Sequence, residues 1–210
     1  DEFAAFKADA QVILVLRRHD RWIASHYRRY VKNGGSLSFE RYADLDSQHP
    51  VIWGAKEMHF MPMIEAIEKR FHSRPLVLFH EDLQRDPFRL IDQLCAFTGA
   101  TYQRNRIDLS VVHSSWSDQQ LRYARKAGKY LFSEVPTALA HSGLNRIHRR
   151  LKLWACYGVL GAAKLVPARF IGEEPLIAEA SLERVRETFA EDWQACLAYA
   201  AQHNPSITAA

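Results

Sequence analysis

The feature that most constrains the fold of this chain is a pair of short apolar runs, at residues 11–16 (QVILVL) and 75–79 (PLVLF). Continuous apolar runs of this length predict strands that are buried on both faces of a sheet. Two helical patterns lie between the runs. Because a strand, a helical crossover and a second strand are typical of parallel pairing, the sequence predicts an α/β fold with a parallel sheet.

Two helices are predicted between these strands. The first starts after Asp20, a favourable N-cap residue, and ends at Asn33-Gly34-Gly35, where glycine can stop a helix. The second is predicted as one continuous helix over residues 53–71, because apolar residues recur near one of its faces. The predicted inward residues are Trp53, Phe60, Ile64, Ile67 and Phe71.

The second strand is followed by a helix whose two ends are marked in the sequence. Asp86 is a predicted N-cap, Pro87 suits the first helical position, and Gly99 suits the position after the last turn. The helix is expected to bury Leu90, Ile91, Leu94 and Phe97. Beyond Gly99 no strand is predicted. Helical patterns occupy residues 117–129, 146–166 and 181–200, and a loop is predicted at residues 133–143.

Length and composition suit one folded domain. We predict a single domain over residues 1–210, with an α/β portion at 1–132 and a helical portion at 133–210. A content of 48% hydrophobic and 25% charged residues excludes a disordered chain. The 3 cysteines are too few and too scattered for a disulfide framework or a zinc site. They fit a reducing compartment, so we expect a cytoplasmic protein without a metal.

The formal net charge of +4 indicates an anionic partner without identifying it. No stretch reaches the roughly 18 apolar residues that a membrane span needs. The nearest is residues 151–166, which follow the basic residues Arg146, His148, Arg149 and Arg150. A buried amphipathic helix is the favoured interpretation of this stretch. An interfacial helix with a basic collar is the alternative, so peripheral membrane contact stays open.

The chemistry-bearing segment begins at Arg17, directly after the first predicted strand. In open α/β sheets ligands bind outside this edge. On a helical wheel Ser25 lies within the basic side of the next helix, which carries Arg21, Arg28, Arg29 and Lys32. An Arg guanidinium, which donates two parallel hydrogen bonds, together with a nearby hydroxyl would bind a phosphate. From the wheel alone, a solvated basic face is the slightly favoured alternative.

Residues 16–27 (LRRHDRWIASHY) resemble the 3′-phosphate-binding segment of sulfotransferases that use 3′-phosphoadenosine 5′-phosphosulfate (PAPS). In that family an Arg at the end of a strand and a Ser eight residues later bind the 3′-phosphate of the donor. Arg17 and Ser25 have this spacing. The family usually has Pro two residues after the Arg, where this chain has His19.

Residues 77–99 resemble the next family segment, a strand, a Glu-Asp-Leu turn and a helix. His80 stands where the family often has a Tyr near the nucleotide, so the resemblance implies a role for it beside the adenine. Glu81 and Asp82 are interpreted as structural rather than catalytic. Weaker matches lie at residues 112–117 and 189–193. The sequence around Arg17 is most similar to bacterial carbohydrate-type sulfotransferases.

The resemblance implies a P-loop-like three-layer α/β fold with a central parallel sheet and a helical C-terminal part. The family opens with a phosphate loop that holds the 5′-phosphosulfate. None of the 9 glycines lies in a Gly-x-x-x-x-Gly-Lys-Ser/Thr frame, and 16 residues precede Arg17. We therefore expect the fold to be incomplete at its N-terminus. The family's catalytic base usually lies before this segment. Neither Asp1 nor Glu2 is a convincing base, so none is assigned.

The implied activity is transfer of a sulfuryl group from PAPS to a hydroxyl or amine, with a carbohydrate acceptor and without a metal. Arg17, Ser25 and His80 are the implied donor-binding residues. Two alternatives remain, a nucleotide-kinase-like enzyme and a non-enzymatic basic module that binds phosphate or polyanions. The sequence lacks the interleaved aromatic and basic residues of common RNA-binding modules, so no nucleic-acid partner is expected.

Overall fold

The computed structural model describes residues 9–71, 73–110, 116–131, 142–166 and 174–206. In chain order the elements are β1 (Ile13–Leu16), α1 (His19–Lys32), α2 (Phe39–Tyr42), β2 (Ala43–Asp44), β3 (Trp53–Gly54), α3 (Ala55–Met58), α4 (Met61–Arg70), β4 (Leu76–Phe79), α5 (His80–Arg85), α6 (Pro87–Thr98), α7 (Asp118–Leu131), α8 (Ser142–Ala162), α9 (Glu179–Thr188) and α10 (Ala190–His203), with a 3-10 turn at Arg104–Arg106.

The chain divides into two units. Unit 1 consists of Asp1–His19, Met58–Val112 and Arg186–Ala210, and unit 2 consists of Asp20–Glu57 and His113–Val185. The chain passes between the units four times: in the first turn of α1, within α3, between Val112 and His113, and within α9. The division into portions at residues 1–132 and 133–210 stays a prediction.

Unit 1 contains the predicted parallel pair. β1 pairs in parallel with β4, and the register places Ile13 beside Leu76 and Leu16 beside Phe79. The predicted strand positions and their parallel pairing are therefore confirmed. All four residues of β4 are buried, as predicted. Burial of β1 on both faces is wrong, because Ile13 is 38% and Val15 59% exposed. Side chains alternate along a strand, so these two residues share one open face.

The other edge of β4 is closed by a side chain. The Asn204 amide nitrogen donates to the Val77 carbonyl at 2.6 Å, and its oxygen accepts from the Val77 N–H at 3.2 Å. Asn204 follows α10, which packs on β4. It satisfies backbone groups that a third strand would otherwise pair, and this protects an edge that is prone to association.

The continuous helix predicted over residues 53–71 is wrong. Trp53 lies in β3, and the chain leaves helical geometry between α3 and α4 before restarting at Met61. Pro62 lies in the first turn of α4, where its missing N–H costs nothing. Of the predicted inward residues, Phe60 and Ile64 are buried, whereas Trp53, Ile67 and Phe71 are half-buried.

The predicted ends of α6 are confirmed. Asp86 Oδ1 accepts the Arg89 N–H at 3.1 Å, Pro87 is the first helical residue, and Gly99 has a left-handed φ of 72°. The predicted inward residues of this helix are half-buried rather than buried. They are Leu90, Ile91, Leu94 and Phe97.

Helix α1 starts at His19 in unit 1 and continues in unit 2 from Asp20, which lies in its first turn and is not the N-cap. It ends as predicted, because Gly34, with φ of 93°, donates its N–H to the Val31 carbonyl at 2.9 Å. The buried side of α1 is formed by Ile23, Tyr27 and Val31, each 0% exposed. β2 and β3 form a second short parallel pair in this unit.

The helices predicted at 117–129 and 146–166 correspond to α7 and α8, which pack against each other, but α8 begins and ends four residues before the prediction. The single helix predicted at 181–200 is wrong, because Phe189 separates α9 from α10. Ser117 and Gln120 cap α7 reciprocally, as in a capping box. The Gln120 amide also donates to the Leu160 carbonyl at 3.1 Å. The last two residues of the predicted 133–143 loop are helical in α8, and its preceding residues lie outside the described part. No strand follows Phe79 in the described residues.

Candidate functional site

In unit 1, Arg17 and His80 follow the two paired strands at the same sheet edge. Arg17 comes directly after Leu16, and His80 directly after Phe79, and these two strand residues are register partners. Both Arg17 and His80 are half-buried. The carboxyl ends of parallel strands form the edge where α/β proteins bind ligands. A guanidinium and an imidazole therefore stand at a ligand-binding edge.

Glu81 connects the two strand ends. Its Oε1 accepts the backbone N–H of Arg18 at 3.0 Å. Glu81 lies in the first turn of α5, after β4, whereas Arg18 lies between β1 and α1. This bond restrains the backbone next to Arg17, and it agrees with the interpretation of Glu81 as structural.

His19 stands where the resembling family has Pro, and it is part of a buried cluster in unit 1. Its ring is 1% exposed and stacks on Phe60 and Phe189, with centroid distances of 4.1 and 4.8 Å. Its Nε2 lies 3.1 Å from Asp192 Oδ2. The imidazole therefore fills a packed aromatic environment and anchors the start of α1.

Asp192 is the centre of this cluster. Its carboxylate accepts the N–H groups of Phe60 at 2.8 Å and Met61 at 3.2 Å, the free donors at the start of α4. His59 Nδ1 lies 3.4 Å from Asp192 Oδ1. One side chain from α10 thus joins the start of α1 to the start of α4. Sequence reasoning missed this role, because the partners lie more than a hundred residues away.

A small cavity of about 240 Å³ adjoins this cluster in unit 1. Arg18 and Arg186 supply its cationic lining, and Trp193 supplies an aromatic wall. Cys196 on the same helix as Trp193 is 0% exposed. Burial, and then the negative charge of Asp192, raise the pKa of its thiol to about 12. Cys196 is therefore a buried apolar side chain and not a nucleophile.

Ser25 lies in unit 2, on the exposed side of α1. Arg21 and Arg29 on this side are also exposed. Arg28 instead bonds the Asp118 carboxylate and the Trp116 carbonyl, and Lys32 lies 5.7 Å from the Tyr157 ring centroid. On the basic side of α1, Arg21 and Arg29 are therefore exposed, whereas Arg28 and Lys32 contact other side chains of the protein. Because Arg17 and Ser25 belong to different units, their joint binding of a phosphate stays a prediction.

Asp118, the partner of Arg28, is a carboxylate that is stabilised in its charged form. Burial by itself would raise the pKa of Asp118, but the hydrogen bonds from Arg28 and the Leu176 N–H outweigh it. The pKa of Asp118 is therefore below its usual value. Arg125 of α7 donates to the Tyr27 hydroxyl at 3.0 Å, so it is structural as well. On the same helix Lys126 and Lys129 are exposed.

An aromatic trio beside Ser25 was not anticipated from the sequence. The rings of Trp22 and His26 lie 4.8 Å apart, and Trp53 lies 5.1 Å from Trp22 and 6.0 Å from His26. All three are half-buried. Burial, and then the charge of Arg29, lower the pKa of His26. The i, i+4 spacing of Trp22 and His26 was a usable signal, but the helix predicted over residues 53–71 assigned Trp53 elsewhere.

Two kinds of site are not found in the described residues. No group of three or more His, Cys, Asp or Glu side chains in this part of the chain is placed to hold a metal ion. None of its helices combines the length and the apolar character needed to cross a membrane. The three cysteines are free thiols. The weak family match at residues 112–117 lies mostly outside the described part.

The family model and the curated relatives that match this chain are all sulfotransferases. A family model described as "Sulfotransferase domain" matches residues 3–144. Human sulfotransferase 2A1 is 29% identical over 123 residues, which is 55% of this chain and 40% of that protein. The sulfotransferase 2A1 of Macaca fascicularis is 28% identical over the same length, again covering 40% of that protein. The match thus spans less than half the length of these relatives. No solved structure matches the chain significantly.

Proposed function

Since the chain belongs to the sulfotransferase family, we propose that it transfers a sulfuryl group from PAPS to an acceptor hydroxyl or amine. The observation that carries this proposal is the family match over residues 3–144, which includes β1, α1 and β4. The geometry of unit 1 supports it, because Arg17 and His80 stand at the ligand-binding edge of the parallel pair.

The proposed donor contacts follow from the chemistry of each side chain. The Arg17 guanidinium can bind the 3′-phosphate through two parallel charge-assisted hydrogen bonds. Ser25 adds a neutral hydroxyl donor, and the exposed Arg29 on the same side of α1 adds positive charge. The half-buried ring of His80 is proposed to lie against the adenine.

In the proposed reaction the acceptor oxygen or nitrogen attacks sulfur, and the bond from sulfur to the bridging phosphate oxygen breaks. The acceptor proton passes to a general base. The other product is 3′-phosphoadenosine 5′-phosphate. Arg17 and Ser25 contribute by positioning the donor, and positioning supplies a large part of the rate in such transfers. The proposal requires no metal.

A carbohydrate acceptor, a bacterial source and a cytoplasmic location complete the proposal. The half-buried indoles of Trp22 and Trp53 support a sugar acceptor, because aromatic faces pack well against the apolar faces of a ring. The three free cysteines are compatible with a reducing compartment.

Calorimetric titration of the chain with 3′-phosphoadenosine 5′-phosphate tests the donor site. We expect binding that Arg17→Ala weakens at least tenfold, and that Ser25→Ala weakens by about two- to tenfold, as expected for loss of a charged and a neutral hydrogen bond. Lys56→Ala, an exposed cation on α3, is the matched control. Equal affinities in all four proteins would contradict the assigned site. Tighter binding of ATP with Mg²⁺ would favour a kinase-like enzyme, and steeply salt-dependent polyanion binding a non-enzymatic module.

A further inference from the structure

Helix α8 in unit 2 carries an apolar face that is open to solvent. Trp154 is 80%, Leu151 65% and Tyr157 47% exposed, and spacings of three residues place them on one side of the helix. Leu165, which follows the helix, is 87% exposed. The opposite side is buried, with Cys156 at 3% and Leu160 at 0%. The favoured sequence prediction of a buried amphipathic helix is therefore correct for one side only.

The glycines of α8 show that none of the described residues covers this face at their positions. Gly158 and Gly161 lie on the same side as Trp154, and a Cβ placed on either would meet no atom within 4 Å. A groove of about 550 Å³ runs beside them and is lined by Arg150, Leu153, Trp154, Tyr157 and Gly158. Contiguous apolar surface of this kind marks interaction sites in soluble domains.

The charges around the face identify the partner's chemistry. Arg150 and Lys164 are exposed near its two ends, and Lys152 is half-buried. The sequence contains no acidic residue from 142 to 166, and Arg146 and Arg149 precede the face. Such a surface repels other cations and attracts a dense layer of negative charge.

We propose that this face of α8 docks on the surface of a membrane that contains anionic phospholipid. Trp and Tyr are the side chains that favour the boundary between headgroups and acyl chains, and Leu151 adds apolar area. The flanking Arg and Lys side chains contact the phosphate groups, while the helix lies in the plane of the interface. The inference rests on exposure and charge, and it is independent of sulfuryl transfer.

Vesicle co-sedimentation of the purified chain tests this docking. We expect binding to phosphatidylcholine vesicles that contain phosphatidylserine, and weak binding to phosphatidylcholine alone. The double variant Leu151→Ser/Trp154→Ser is expected to lower the partition coefficient at least about tenfold, because it removes most of the inserted apolar area. Leu109→Ser, which replaces another exposed leucine, is the matched control.

A second pair of variants tests the charge. Arg150→Glu/Lys164→Glu is expected to abolish the preference for phosphatidylserine, whereas Lys56→Glu, a charge reversal on α3, is expected to retain it. All replaced side chains are exposed, and unchanged circular dichroism checks the fold. The proposal is overturned if the Leu151→Ser/Trp154→Ser variant binds the vesicles as well as the parent chain does. It is also overturned if the parent chain does not bind vesicles that contain phosphatidylserine. A third outcome is that the parent chain forms a dimer and binds no vesicles, and that the Leu151→Ser/Trp154→Ser variant is a monomer. This outcome would assign the face to a second copy of the chain and would overturn the proposal.

Discussion

Replacement of Asp192 tests the buried cluster that organises unit 1. The side chain is 6% exposed, and its two oxygens accept the N–H groups of Phe60 and Met61 and contact His19 Nε2 at 3.1 Å. Asp192→Ala removes all of these acceptor contacts at once, whereas Asp192→Asn keeps one amide oxygen. The two variants therefore differ in how many donors they leave unsatisfied.

The expected cost follows from those donors. Each buried donor that loses its partner costs about 1–3 kcal/mol, and the costs overlap because one carboxylate serves all three. We expect Asp192→Ala to lower the free energy of unfolding by about 3–5 kcal/mol. Asp192→Asn is expected to lower it by about 1–2 kcal/mol. The larger value is a substantial fraction of the roughly 5–15 kcal/mol that stabilises a typical domain.

Urea unfolding followed by circular dichroism measures these differences. Glu191→Gln is the matched control, because Glu191 is the exposed acidic neighbour in the same first turn of α10. We expect it to change the free energy of unfolding by less than about 0.5 kcal/mol. If Asp192→Ala and Glu191→Gln unfold at the same urea concentration, the assignment of Asp192 as the centre of the cluster is refuted.

Three further predictions concern the same unit. Asn204→Ala leaves the Val77 edge groups unpaired, so we expect faster hydrogen exchange at the Val77 amide and about 1–2 kcal/mol less stability; unchanged exchange would contradict this. Asp86→Ala removes the α6 cap and is expected to cost about 1 kcal/mol in urea unfolding, while Asp86→Ser costs less. Burial, and then the charge of Asp192, raise the pKa of the Cys196 thiol from its usual 9.0 to about 12, so the folded state retains the thiol proton longer. Stability should therefore fall as pH rises from 9 towards 12, and Cys196→Ala should reduce this fall.

Features with local causes could be predicted from the sequence. The apolar runs at residues 11–16 and 75–79 indicate β1 and β4, and the helical connection between them is typical of the parallel pairing that is observed. Asp86, Pro87 and Gly99 define the ends of α6 through interactions within one or two turns. The break before α4 was also open to prediction, because Pro62 suits the first turn of a helix and not its interior.

The candidate site was predictable only in part. Arg17 and His80 could be placed at one sheet edge, because each directly follows a predicted strand. The pairing of Trp22 with His26 could be predicted from their i, i+4 spacing, but their contact with Trp53 could not, since it joins α1 to a strand some thirty residues later. The open face of α8 has the same origin, because periodicity shows that a helix has two sides but not which sides become covered.

The sequence by itself determined β1 and β4, their parallel pairing, both ends of α6 and the family resemblance, since each depends on neighbouring residues or on short motifs. Only the tertiary structure decided that His19 is enclosed by Phe60 and Phe189, that Asp192 supports α4, and that Trp154 stays in solvent. The physical reason is that burial and hydrogen-bond partnership depend on chain segments far apart in sequence. Local propensity carries no information about which of these segments meet.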